Sequence, residues 1–192
     1  MSSDPNASPI NPLPPIVVAL ALAIFGVEVV MNLAARGILG GQAGIGWRIA
    51  ALNEYGMPGP LQSWMIETGR FELVNLKRYV TYAFVHVNFT HMLFVVVFLL
   101  ALGKMVAEVM GQMAFVAIFI LSGVGGAAIY ALLLNDPVWL AGAYPNAYGL
   151  IGGYSFVMWR HLAGRGTQQY RAFSLIAVLM GIQLVWGVFF ET

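Results

Sequence analysis

An all-α, polytopic membrane helical bundle is the fold class this sequence predicts, and three observations predict it. Only 9% of the 192 residues are charged while 60% are hydrophobic, against about 25% charged in an ordinary soluble domain. Mean hydropathy is +0.81. Apolar stretches of the roughly 17–25 residues that a helix needs to cross the hydrocarbon core recur along the chain. A soluble globular enzyme, a disordered chain and a nucleic-acid binder, which needs a basic surface, are thereby excluded. With no cysteine in the chain, so are disulfides, thiolate metal sites, a thiol nucleophile and S-palmitoylation.

Residues 1–15 are polar and rich in Ser, Asn and Pro, and read as a disordered arm that ends at Pro14-Pro15. The arm has no Lys or Arg and so lacks the basic start of a signal peptide; the first apolar stretch reads as a retained helix. Five spans are expected, at about 16–35, 79–102, 114–134, 141–159 and 172–190. In the fourth, Gly149 and Gly153 form a small-xxx-small pair with Gly152 beside it, a pattern suited to packing against a partner helix. The long loop 36–78 mixes Trp47, Arg48, Trp64 and apolar residues. Trp and Arg favour the lipid–water boundary, so this loop is expected on or partly in one leaflet rather than in bulk water. Lys104, Arg160, Arg165 and Arg171 fall on the side of the N-terminal arm. Arg36, Arg48, Arg70, Lys77 and Arg78 fall on the other, offset by Glu54, Glu67 and Glu72. The positive-inside count leaves orientation open.

Polar groups inside a bilayer are costly, so each needs an account. Glu28, in the second half of the first span, is expected either to snorkel toward the long loop or to be protonated and hydrogen-bonded between helices. No chain of charged residues in neighbouring spans accompanies it, which argues against a transporter or channel. His86 and His91 are five residues apart, which on a continuous helix puts them about 140° apart on different faces. A metal pair prefers a spacing of three or four, so no metal and no cofactor is expected. Ser122 and Ser155 are the serines weighed as substitute nucleophiles; Ser155 is six residues from His161, on a different face of a helix.

The stretch Lys77-Arg78-Tyr79-Val80-Thr81-Tyr82-Ala83-Phe84-Val85-His86 through His91-Met92-Leu93-Phe94 resembles the start of the second core helix of rhomboid intramembrane serine proteases, W-R-x-x-T-x-x-F-x-H-x-x-x-x-H-x-x-x-N. Gly103 and Gly111 resemble the ends of the family's G-x-x-x-E-x-x-x-G, with Glu108 one position late. Leu121-Ser122-Gly123-Val124-Gly125-Gly126 resembles its third helix. Gly142-Ala143-Tyr144-Pro145-Asn146-Ala147-Tyr148-Gly149-Leu150-Ile151-Gly152 resembles its G-x-S-G-x-x-x-G-x-x-G segment. The resemblance covers residues 16–192 as one rhomboid-like domain.

The resemblance implies a serine nucleophile at the position of Tyr144, a glycine at Pro145 and an oxyanion asparagine at Val95. His86 and His91 are the retained family residues. It also implies a catalytic histidine on a sixth helix, which is expected to be absent because the chain stops at Thr192. These departures predict no catalytic residues and a rhomboid-like pseudoprotease. Its role would be as a binding scaffold or accessory subunit for other integral membrane proteins or a multi-subunit membrane complex, such as a respiratory or photosynthetic one. Without a sixth helix, Gly149 and Gly153 are expected to stand open to a partner. The resemblance further implies a bacterial inner membrane with the N-terminus cytoplasmic. The alternative is an active intramembrane serine endopeptidase that cleaves single-span substrates.

Overall fold

The computed structural model describes residues 12–134, 138–166 and 168–190. Most of the expected N-terminal arm, residues 1–11, lies outside them. Helix α1 (Pro15–Ala35) starts with Pro15 in its first turn, where the missing N–H costs nothing. A run of short helices follows: α2 (Gly41–Gly44), α3 (Trp47–Tyr55), α4 (Pro60–Thr68), α5 (Leu73–Leu76) and α6 (Arg78–Thr81), then a 3-10 turn at Tyr82–Phe84. The long helices α7 (Phe89–Met110), α8 (Gln112–Leu133), α9 (Tyr144–Ala163) and α10 (Ser174–Phe190) complete the bundle, with a second 3-10 turn at Gln169–Phe173 before α10.

Helix α7 is the centre. It packs against α1, α8 and α9 around Val17, Ile24, Met92, Leu99, Phe115 and Leu150. Gly111 alone connects α7 to α8, at a φ of 94° that L side chains rarely adopt. The outward side of α8 is apolar too, with Leu121, Ile129 and Leu132 exposed, as a hydrocarbon solvent requires. Among the described residues α1, α7 and α8 are long and apolar enough to cross a membrane. Helix α9 carries Asn146, Arg160 and His161 along its 20 residues, and α10 has 17, about 25 Å of helix.

The segment between α1 and α7 is folded rather than a plain loop. Strand β1 (Met57–Pro58) pairs antiparallel with β2 (Trp139–Leu140), Met57 opposite Leu140, which ties this segment to the α8–α9 connection. Met57, Tyr82, Ala127 and Ala131 form a small core beneath it, and the buried Tyr82 hydroxyl donates to the Gly123 carbonyl at 2.8 Å.

The expected second span at 79–102 is misplaced. Val85 is extended (φ −107°, ψ 121°) and breaks the chain's helical course. Asn88 then restarts it as an N-cap, its side-chain oxygen accepting from the His91 N–H at 2.9 Å. The long helix therefore runs from Phe89 to Met110. Helix α9 likewise starts at Tyr144 rather than 141, with Pro145 in its first turn.

Candidate functional site

The extended turn before α7 changes the histidine geometry. His86 lies in that turn and His91 in the first turn of α7, so the helical-face argument does not apply to them. Their rings meet edge to face with centroids 5.2 Å apart. Gly142 closes over both rings. Its φ is +85°, its N–H donates to the Tyr82 carbonyl at 2.9 Å, and a Cβ there would lie 2.7 Å from His91 Nε2 and 3.0 Å from His86 Cδ2. Only glycine fits that approach.

The next residues come from the start of α9. The Ala143 N–H points at His86 Nε2 across a long 3.4 Å, which requires the tautomer with its proton on Nδ1. The Tyr144 ring stacks on His91, with centroids 4.6 Å apart and planes 20° apart. Val95, one turn along α7 from His91, is buried in the core. His86 Nδ1 and His91 Nε2 are buried without hydrogen-bond partners. Burial, with the nearby His91 and Arg48 adding to it, pushes the His86 imidazole down to about 3, so it is neutral.

Beneath this cluster lies an ion pair. Glu28 is 1% exposed. Arg48 on α3 grips its carboxylate with both terminal nitrogens, at 2.8 and 3.0 Å, and Asn32 donates to it at 2.6 Å. Arg48 also donates to the His86 carbonyl at 2.6 Å. One guanidinium thus joins α1, the interfacial segment and the turn that carries His86. Glu28 is hydrogen-bonded, but its chief partner is the Arg48 guanidinium of the long segment rather than a group on a neighbouring span, and the buried carboxylate does not snorkel to water.

The serines stand apart from the histidines. Ser122 donates to the Phe119 carbonyl at 3.2 Å, with the Asn146 carbonyl at 3.5 Å, in the seam between α8 and α9. Ser155 is buried without a partner. On the far side of Tyr144, a cleft of about 670 Å³ opens between α7, α9 and α10, lined by Phe94, Phe98, Tyr144, Tyr148, Ile151 and Leu179 among others.

A family model described as Rhomboid domain matches residues 74–192. The chain belongs to the rhomboid family. No curated protein and no solved structure matches it. The matched segment contains His86, His91, Val95 and Tyr144, whereas Glu28 and Arg48 lie before it.

Within the rhomboid bundle the glycines of α9 do not behave as expected. A Cβ at Gly149 would overlap the Ser122 side chain of α8, and one at Gly153 would lie 3.2 Å from Ile118 and 3.3 Å from Val106. Both positions are spent on packing inside this chain, so neither stands open to a partner. Gly152 has nothing within 4 Å of its Cβ position and faces outward.

Sequence reasoning missed four residues of the site. The sequence marks Arg48 only as a residue suited to the lipid–water boundary, and nothing local marks it as the partner of a residue 20 positions away. Gly142 stands out in the sequence only as the first glycine of a motif. Asn88 falls inside the expected second span, although an Asn just ahead of an apolar run is an N-cap signal. Asn146, buried in the first turn of α9, donates to the Phe119 carbonyl at 2.8 Å and fastens α9 to α8.

Proposed function

We propose that this rhomboid-family chain is a pseudoprotease with five spans, α9 and α10 being the fourth and fifth, that binds other transmembrane proteins as a scaffold or accessory subunit. The observation that carries this reading is the Tyr144 ring stacked on His91 where the family resemblance puts a serine hydroxyl. A serine nucleophile needs a base within hydrogen-bond reach. Here the imidazole face is covered by an aromatic ring, and Ser122 is engaged with backbone carbonyls. Val95 supplies no hydrogen bond at the position of the oxyanion asparagine, a loss that typically costs about 10²–10³ in turnover. Pro145 has no N–H to donate beside it.

The aromatic cleft between α7, α9 and α10 supports binding without cleavage. It is lined mostly by apolar side chains and has Tyr144 in its wall, so a single transmembrane helix is the occupant it suits. This reading keeps the bacterial inner membrane and the cytoplasmic N-terminus that the resemblance implies.

The test uses the full chain in native membranes. A photocrosslinking residue at Phe98 should capture another integral membrane protein, and one at Leu121, on the outward side of α8, should not. A fluorophosphonate probe should leave the chain unlabelled. Labelling that disappears in Ser122→Ala or Ser155→Ala, or a single-span client cut in purified vesicles, would establish the endopeptidase instead.

A further inference from the structure

The C-terminal ends of α7 and α9 enclose a second groove, of about 730 Å³, at the opposite end of both helices from His91 and Tyr144. Met105, Val109, Phe156 and Met158 line it, and Arg160 and His161 in the last turn of α9 complete the lining. From Phe156 to Arg160 is four residues, about 6 Å along a helix axis. Over that distance the wall changes from aromatic and thioether to cationic. This is the change a phospholipid makes between its acyl chain and its phosphate. Methionine side chains are flexible and polarizable, and they accommodate a chain of no fixed shape.

The charge around the groove selects the headgroup. Residues 141–190 contain Arg160, His161, Arg165 and Arg171 and no Asp or Glu. Arg165 and Arg171 lie in the connection between α9 and α10, at this same end of the bundle. Glu108 on α7, which is not part of the lining, is paired with Lys104 at 3.9 Å. A zwitterionic headgroup would bring an ammonium that no acidic residue of the lining meets, whereas an anionic one meets Arg160. Cations at a helix C-terminus also complement its dipole, by about 0.3–1 kcal/mol. That contribution explains one exposed arginine, but not an apolar groove leading up to it.

We propose that this groove is a binding site for an anionic phospholipid, its phosphate held by Arg160 and His161 and an acyl chain laid along Met105, Val109 and Phe156. The site is independent of the pseudoprotease reading, because it shares no residue with the histidine cluster or the aromatic cleft.

Native mass spectrometry of the detergent-purified full chain tests it, with dioleoyl phosphatidylglycerol and dioleoyl phosphatidylcholine as probes that share the same chains. The wild type should prefer the glycerol lipid. Arg160→Gln, at an exposed position, should weaken that lipid about fivefold, as expected for one cation near an anionic surface, and leave the choline lipid unchanged. Arg160→Lys should restore most of the preference, and Phe156→Ala should weaken both lipids. Four results would overturn the site: equal binding of the two lipids, indifference to Arg160→Gln, displacement of the glycerol lipid by inorganic phosphate, or a photocrosslinker at Met158 that captures protein rather than lipid.

Discussion

Glu28 meets Arg48 through two guanidinium nitrogens and Asn32 through one amide, all inside the bundle. Removing one partner of such a pair strands the other's charge, which costs about 3–5 kcal/mol. Arg48→Ala should lose that much stability in an SDS titration of the purified protein. The double replacement Glu28→Leu/Arg48→Met removes both charges and should recover part of the loss. It will not recover all of it, because the His86 carbonyl is then left without its donor, a deficit of about 1–3 kcal/mol. His86 gives a second prediction. The fold keeps its imidazole neutral down to about pH 3, while an unfolded histidine takes up a proton near pH 6.5. Stability is therefore whole above that pH. It should fall as pH drops from about 6.5 toward 3, by up to about 1.4 kcal/mol per pH unit. The melting temperature of His86→Gln should vary less with pH over the same window.

At the scale of elements, α8 and α9 touch through a seam that has no room for side chains on one side. Gly149→Leu drives a side chain into Ser122 and should destabilise the protein by about 1–3 kcal/mol, with Gly152→Leu tolerated because its Cβ position is open. The two variants, compared by thermal unfolding, separate inward packing from outward exposure on a single helix. Apolar run length was enough to locate α1 and α8 within two residues at either end, because nothing but hydrocarbon stability decides them. The start of α7 was not legible from run length. Val80, Ala83, Phe84, Val85 and Val87 carry the apolar run back to residue 79, yet the Asn88 cap and the extended Val85 divide it from the helix. That same turn is why two histidines five apart converge, contrary to helical periodicity.

Across the whole molecule, α7 and α9 carry different chemistry at their two ends: histidines and tyrosines beside an aromatic cleft at one, methionines and arginines around a groove at the other. The sequence motifs locate the first end because family spacing marks His86, His91 and Tyr144 individually. They do not show that Tyr144 lies flat on His91, nor that Arg48 reaches beneath both, since these follow from tertiary approach between segments far apart in the chain. The small-residue pattern of α9 was legible as a packing signal, but which helix it receives depends on topology, and α8 takes the place first.

The pairing of Glu28 with Arg48 bears on how the protein is made. Arg48 follows Glu28 by 20 residues, so the first helix reaches the membrane before the segment that carries the guanidinium can fold against it. Until then the nascent α1 carries a bare carboxylate, which lowers its partition into lipid by a few kcal/mol. Stable integration of the first segment thus depends on docking of the segment that follows it.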